Sequence, residues 1–109
     1  MIGAVNEDSL VDQNVNRLDM KSDRYFNAGV MIINLKQWNK KIEINEIILR
    51  MEKLRDKIKW WDQDVLNVLV DGNYLDLKKD FNMKASEIKG MPDETVVFLH
   101  YAGKGKPWD

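Results

Sequence analysis

The run Gly29-Val30-Met31-Ile32-Ile33-Asn34-Leu35 is apolar at every position but Asn34. A strand with one wet face alternates, whereas a continuous apolar run fits a strand covered on both faces, as in sheets sandwiched by helices. The run therefore predicts the centre of the core. Just upstream, Tyr25-Phe26-Asn27-Ala28-Gly29 leads into the strand. Asn followed by small residues at such a junction is either a turn device or a place where Asn27 holds a ligand while Ala28 and Gly29 let it approach the backbone. Residues 9–24 carry few apolar side chains among Asp, Asn, Gln and Lys, which predicts a surface loop or a weak helix. Ile2-Gly3-Ala4-Val5 fits the tail of a buried strand entering a polar loop at Asn6-Glu7-Asp8-Ser9.

Downstream, Ile44, Ile47, Ile48, Met51, Leu54 and Ile58 recur at threes and fours, one apolar stripe on a helix whose outer face is basic. Asp62-Gln63-Asp64 opens a second helical pattern over residues 65–70, which Gly72 stops. Tyr74-Leu75-Asp76-Leu77 alternates as a short strand, Met91-Pro92-Asp93-Glu94 reads as a turn, and residues 95–99 read as a second buried strand ending at His100. Helices alternating with apolar strands, without an internal repeat, make an α/β sheet protein with one domain over residues 1–109. In open sheets of this kind ligands gather at the carboxyl ends of strands.

Bulk properties narrow the function. Seventeen basic against 18 acidic residues leave a net charge of −1, without the electrostatic footprint of a nucleic-acid binder. The absence of cysteine excludes disulfides, thiolate nucleophiles and sulfur-ligated zinc, and fits a cytoplasmic protein. No segment approaches the roughly 20 apolar residues of a membrane-spanning helix, and residues 1–5 lack the parts of a signal peptide.

Chemistry concentrates in His100-Tyr101-Ala102-Gly103-Lys104-Gly105-Lys106-Pro107-Trp108, which holds the only histidine of the chain. An imidazole suits a divalent first-row metal, glycines let backbone N–H groups approach phosphate oxygens, and lysine adds a compact positive charge. Asp62-Gln63-Asp64 has two readings. Its carboxylate, spacer, carboxylate form resembles a metal pair, but at a helix start Asp62 serves as N-cap and Asp64 complements the helix dipole, together worth about 1 kcal/mol. Gln63 could hydrogen-bond a substrate hydroxyl. Trp38, Trp60 and Trp61 read most simply as core or interface residues.

Taken in order, residues 25–38, Asp62-Gln63-Asp64-Val65-Leu66-Asn67 and the His100 loop make the chain resemble the family-eight retaining glycosyltransferases. That group contains bacterial lipopolysaccharide galactosyl- and glucosyltransferases and the glycogenins. The blocks match its Asn-Ala-Gly segment, its Asp-Gln-Asp helix start and its closing His-Tyr-x-Gly-x-x-Lys-Pro-Trp. The resemblance implies a Rossmann-like, GT-A type nucleotide-diphospho-sugar transferase sheet with flanking helices. It implies transfer of galactose or glucose from a UDP-sugar to a saccharide acceptor with retention of configuration. It also implies roles: His100 as a ligand to Mn2+, Gly103 and Lys106 on the diphosphate, and Asn27, beside Ala28 and Gly29, on the donor sugar. Asp62 and Gln63 would line the reacting hexose, Gln63 stabilising positive charge at the anomeric carbon.

Nothing here matches the family's N-terminal half, with its Asp-x-Asp metal pair. The resemblance therefore implies the C-terminal part of a catalytic domain, with little or no activity alone, that works in the intact enzyme at the inner face of the membrane. The competing reading is a non-catalytic α/β module that self-associates through an open sheet edge or binds sugar or protein.

Overall fold

The computed structural model describes residues 1–88, 90 and 94–108, so the turn expected at Met91-Pro92-Asp93-Glu94 falls outside the described residues except for Glu94. Strand β1 (Ile2–Asn6) runs through the middle of a three-stranded sheet, antiparallel to β2 (Phe26–Ile33) and parallel to β3 (Leu75–Asp76). Ile2, Ala4 and Val5 are buried, so the centre of the sheet is this short strand and not the long apolar run. β2 is an edge strand: its first residues are buried, but Ile32 is 57% exposed and Asn34 and Leu35 have left the strand. An apolar run reports affinity for cover, not whether a neighbouring layer supplies it. Asn34 instead caps helix α2 (Leu35–Lys41), its side chain accepting from the Gln37 amide at 3.1 Å.

Pairing along β1 passes from Ala4–Met31 to Val5–Asn27 in one step, which leaves Ala28-Gly29-Val30 bulged from the ladder. Bulges re-aim side chains and backbone at the rim of a site.

Helix α1 (Val11–Arg17) is the weak helix expected in residues 9–24, and α3 (Ile44–Lys53) carries the apolar stripe, ending before Leu54 and Ile58. Helix α4 (Trp61–Val70) stops at Asp71 and Gly72, both with positive φ. The Asp71 carboxylate accepts from the Lys21 and Ser22 amides, joining the end of α4 to the chain entering β2.

The core has two parts. Ile2, Ala4, Phe26, Val70 and Tyr74 pack between sheet and α4, with Trp38 against them as expected of a core residue. Phe26 and Tyr74 meet edge to face at 4.8 Å, and Arg24 lies over the Tyr74 ring at 4.2 Å. Leu18, Tyr25 and Leu54 form the second part.

Helix α4 also closes the outer side of β2. Asn67, wholly buried, accepts from the Phe26 amide at 2.8 Å and donates to the Phe26 carbonyl at 2.9 Å. One turn earlier, the Gln63 side-chain oxygen accepts from the Ala28 amide at 2.9 Å. The i, i+4 pair thus stands where a further strand would.

The second strand expected over residues 95–99 is shorter and wetter than its composition suggested. β5 is Leu99–His100 alone, parallel to β4 (Met83–Lys84), while Val97 and Phe98 are each 53% exposed. The Val97 and Phe98 amides donate to the Asp80 carbonyl rather than to a strand, which ends the ladder there.

Candidate functional site

A cleft of about 580 Å³ opens where the carboxyl end of β1, the first residues of β2, the start of α4 and the end of β5 converge. Its walls bring together Asn27, Ala28, Gly29, Asp62, Gln63, His100, Gly103 and Lys106, the residues singled out from sequence. Burial pattern and hydrogen bonding assign them different parts.

His100 sits in the wall with its Nδ1 2.8 Å from the Asn82 side-chain oxygen. Burial pushes the imidazole below its ordinary value, and the charges of Lys106 and Lys84 push it the same way against an opposing Glu7. A neutral ring whose Nδ1 proton goes to Asn82 keeps a lone pair on Nε2, the form a metal requires. The residue therefore fits a metal-ligand role, but it stands by itself: among the described residues no group of three His, Cys, Asp or Glu could hold an ion.

Gly29 faces this ring. A Cβ built at Gly29 would lie 2.2 Å from His100 Cε1 and 2.7 Å from Nδ1, so only glycine lets the imidazole occupy this place. Here the bulge supplies a close approach that the sequence suggested for a ligand and the structure shows for His100.

Asn27, 9% exposed, is spoken for on both sides. Its oxygen accepts from the Gly29 amide and from Asn82, each at 2.8 Å, and its NH2 donates to Glu7 at 2.6 Å. Glu7 in turn pairs with Lys84 at 2.5 Å. Gln63 donates to the Tyr25 hydroxyl at 3.1 Å besides accepting from Ala28, which holds its amide at the cleft floor.

The Asp62-Gln63-Asp64 triplet lies in the first turn of α4 as expected, but Asp62 is not the N-cap. The cap position is Trp60, and no side-chain cap bond forms; Asp62 is exposed at the cleft rim. Asp64 is wholly buried and accepts from the Lys59 and Trp60 amides at 2.8 and 2.9 Å, from Tyr25 at 2.6 Å and from both Arg17 nitrogens. Burial alone would raise its carboxyl; the Arg17 bond, the Trp60 amide, Tyr25 and the Lys59 amide outweigh that and hold it below the ordinary value. Asp64 locks the chain that enters α4. It does not face the cleft.

In the terminal loop Gly103 has φ +79, a left-handed turn that suits glycine, and the Lys106 ammonium donates to the Tyr101 carbonyl at 2.9 Å. Trp60 and Trp61 are 44% and 78% exposed at the cleft mouth, which excludes the core half of the core-or-interface reading. Glu7, Asn82 and Lys84 were missed from sequence. The polar step after Ile2-Gly3-Ala4-Val5 marks Glu7 as a strand-end residue, while Asn82 and Lys84 carried no signal. A second cavity of about 640 Å³ among Trp38, Ile47, Met51, Ile58, Val65 and Leu66 is mostly apolar, with Arg55, Lys59 and Asp62 also in its lining.

The profile of glycosyl transferase family 8 matches residues 2–109. The chain belongs to glycosyl transferase family 8. Among family 8 relatives it is 37% identical over 98 residues to a lipopolysaccharide 1,2-glucosyltransferase of Escherichia coli, covering 77% of this chain and 29% of the relative. It is 35% identical over 94 residues to the lipopolysaccharide 1,3-galactosyltransferase of Salmonella typhimurium, covering 77% and 28%. Its fold is similar to that of the galactosyltransferase LgtC solved with donor and acceptor sugar analogues, at a TM-score of 0.81 and 28% identity, covering 99% of this chain and 45% of LgtC. An active-site glutamine-to-glutamate mutant of LgtC aligns with a TM-score of 0.82 at 26% identity. The chain thus spans under a third of these curated relatives and under half of LgtC. No helix among the described residues is long and apolar enough to cross a membrane.

Proposed function

We propose that this chain forms the donor-sugar side of a hexosyltransferase that moves glucose or galactose from a UDP-sugar to a saccharide acceptor of lipopolysaccharide synthesis, with retention of configuration. The observation that carries the reading is the convergence of His100, the Gly103 turn, Lys106, Asn27 and Gln63 on one cleft. Gly103 and Lys106 would receive the diphosphate, whose charge suits backbone N–H groups at a left-handed turn and a nearby ammonium. Asn27 and Ala28 would border the hexose.

Gln63 is the one glutamine bordering the cleft, and LgtC has an active-site glutamine. Its side-chain oxygen carries two lone pairs, of which the Ala28 amide takes one; the other is suited to positive charge developing at the anomeric carbon. Asp62, at the rim beside it, would accept from a sugar hydroxyl. The exposed face of Trp61 suits the apolar face of an acceptor sugar.

His100 would hold Mn2+, and a cation there would offset negative charge on departing UDP. One imidazole is an incomplete metal site, so on this reading the remaining ligands are diphosphate oxygens and protein groups beyond these residues, and the 109-residue chain alone has little or no transferase activity. The reading carries a cytoplasmic location, at the inner face of the membrane in the intact enzyme.

Isothermal titration with UDP tests it. Micromolar binding that requires Mn2+ and is lost in His100→Ala is expected; absence of heat with Mn2+ present overturns the donor-site reading. Full UDP-hexose turnover by the 109-residue chain would overturn the need for further ligands.

A self-associating module is the second reading. It is favoured by the β2 edge, where Ile32 is exposed and no strand pairs the outer side among the described residues. A stable dimer by light scattering, with no UDP binding, would favour it.

A further inference from the structure

Five polar groups form one line behind the cleft wall: Lys84, Glu7, Asn27, Asn82 and His100. We propose that Asn82 is a positioning residue. With Asn27 and Glu7 behind it, it holds His100 in the tautomer that carries the proton on Nδ1 and keeps the Nε2 lone pair bare.

The argument follows the direction of each hydrogen bond. A carboxylate only accepts, and Glu7 is paired with Lys84, so the group Asn27 turns toward it must be NH2. The Asn27 oxygen then points the other way, where the Gly29 amide, a donor that cannot be reversed, confirms its place at 2.8 Å. Asn82 meets that oxygen at 2.8 Å and must present its own NH2. Its oxygen is left facing His100 Nδ1 at 2.8 Å, and an oxygen there demands a proton on Nδ1.

Reversing the histidine would require turning Asn82, which brings its NH2 to donate to Nδ1 and sets two oxygens against each other at Asn27. Turning Asn27 as well sets its oxygen against the Glu7 carboxylate and its NH2 against the Gly29 amide. Asn82 is 5% exposed and Asn27 9%, so water cannot readily repair either fault. Polarity set at Glu7, three hydrogen bonds away, is thereby transmitted to the ring.

The inference rests on the donor-site reading for its purpose, since a bare Nε2 is what a metal ligand needs, but not for its test. His100 is the only histidine, so long-range nitrogen–proton correlation spectra of the metal-free chain, recorded above the imidazole titration, report this ring alone. The Nδ1–H form is expected in the natural sequence. Asn82→Ala should convert it to a mixture in which Nε2–H predominates, and Asn82→Asp, which keeps an acceptor against Nδ1, should retain it. Glu7→Gln, whose amide can present either group to Asn27, leaves the Gly29 amide as the group that orients Asn27, so Nδ1–H should stay the major form while the Nε2–H population rises without a change to the ring.

An Nε2–H ring in the natural sequence overturns the inference whatever any metal does. So does an Nδ1–H population unmoved in both Asn82→Ala and Glu7→Gln. Amide spectra establish folding, and should Asn82→Ala not fold, the natural sequence and Glu7→Gln decide. A locked Nδ1–H ring that Mn2+ together with UDP does not broaden upholds the positioning role and overturns His100 as metal ligand instead.

Discussion

Gly29→Ala adds one methyl group, and its consequences separate stability from binding. Gly29 does not occupy the left-handed region, so alanine imposes no backbone strain, and the perturbation is the methyl itself, 2.2 Å from His100 Cε1 and 2.8 Å from the Asn27 oxygen. Restoring an ordinary carbon–carbon contact requires the ring to retreat by roughly 1.2 Å. His100 is only partly buried and borders the cleft, so it can swing outward, and the cost in stability should fall at the low end of the overpacking range, about 1 kcal/mol. Binding has no such freedom once diphosphate oxygens also fix the ion: metal–nitrogen distances tolerate about 0.2 Å, and a displacement of this size should cost on the order of 100-fold.

The assays are urea denaturation beside Mn2+-induced broadening of the His100 resonances in the presence of UDP. Expected is a small midpoint shift with a large loss of broadening. Unchanged His100 shifts and unchanged broadening in Gly29→Ala would refute the steric reasoning, and a loss well above 3 kcal/mol would refute the freedom of the ring to swing.

Other expectations concern what holds the cleft walls. Asn67→Ala leaves the Phe26 amide and carbonyl unpaired in the core and should cost about 2–4 kcal/mol by urea denaturation; a loss under about 0.5 kcal/mol would contradict the strand-like role of this side chain. Arg17→Ala deprives the buried Asp64 of its guanidinium and should cost about 2 kcal/mol, tempered because Arg17 is partly exposed and Asp64 keeps Tyr25 and two amides. Because Asp64 is depressed in the folded chain, its stabilisation is present above the ordinary value of 3.8 and is lost as pH falls through the lower folded value. Acid unfolding should therefore begin at higher pH in Arg17→Ala than in the natural chain, and coincident acid midpoints would count against the pairing.

The elements differ in how far they could be read from sequence. The α4 helix, its glycine stop and the short Leu75–Asp76 strand follow from patterns that depend on near neighbours, period and turn chemistry. The apolar run at Gly29 did not reveal its neighbours: it pairs on one side with β1, while α4 amides cover the start of its other side. Val97 and Phe98 misled in the same way, since their backbone amides are taken by Asp80 and only the Phe98 carbonyl, accepting from the Met83 amide, joins the pairing with β4.

The eight candidate residues were legible because three local blocks carry them, and they do meet in one cleft. Their roles were not. Asp64 looked like a complement to the helix dipole and is a buried lock; Trp60 and Trp61 read as core or interface residues and stand exposed at the cleft mouth.

By itself, the order of residues determined which side chains are available: one imidazole, a glycine turn with lysines, and an amide at a helix start. Tertiary structure alone decided which of their atoms remain available. Whether Nε2 of His100 is a lone pair, and whether Asn27 has anything left for a ligand, depends on the direction of hydrogen bonds among Glu7, Asn27, Asn82 and His100. Those residues lie up to 93 positions apart in sequence. A hydrogen bond has a direction only once its partner is in place, and folding is what puts the partner there.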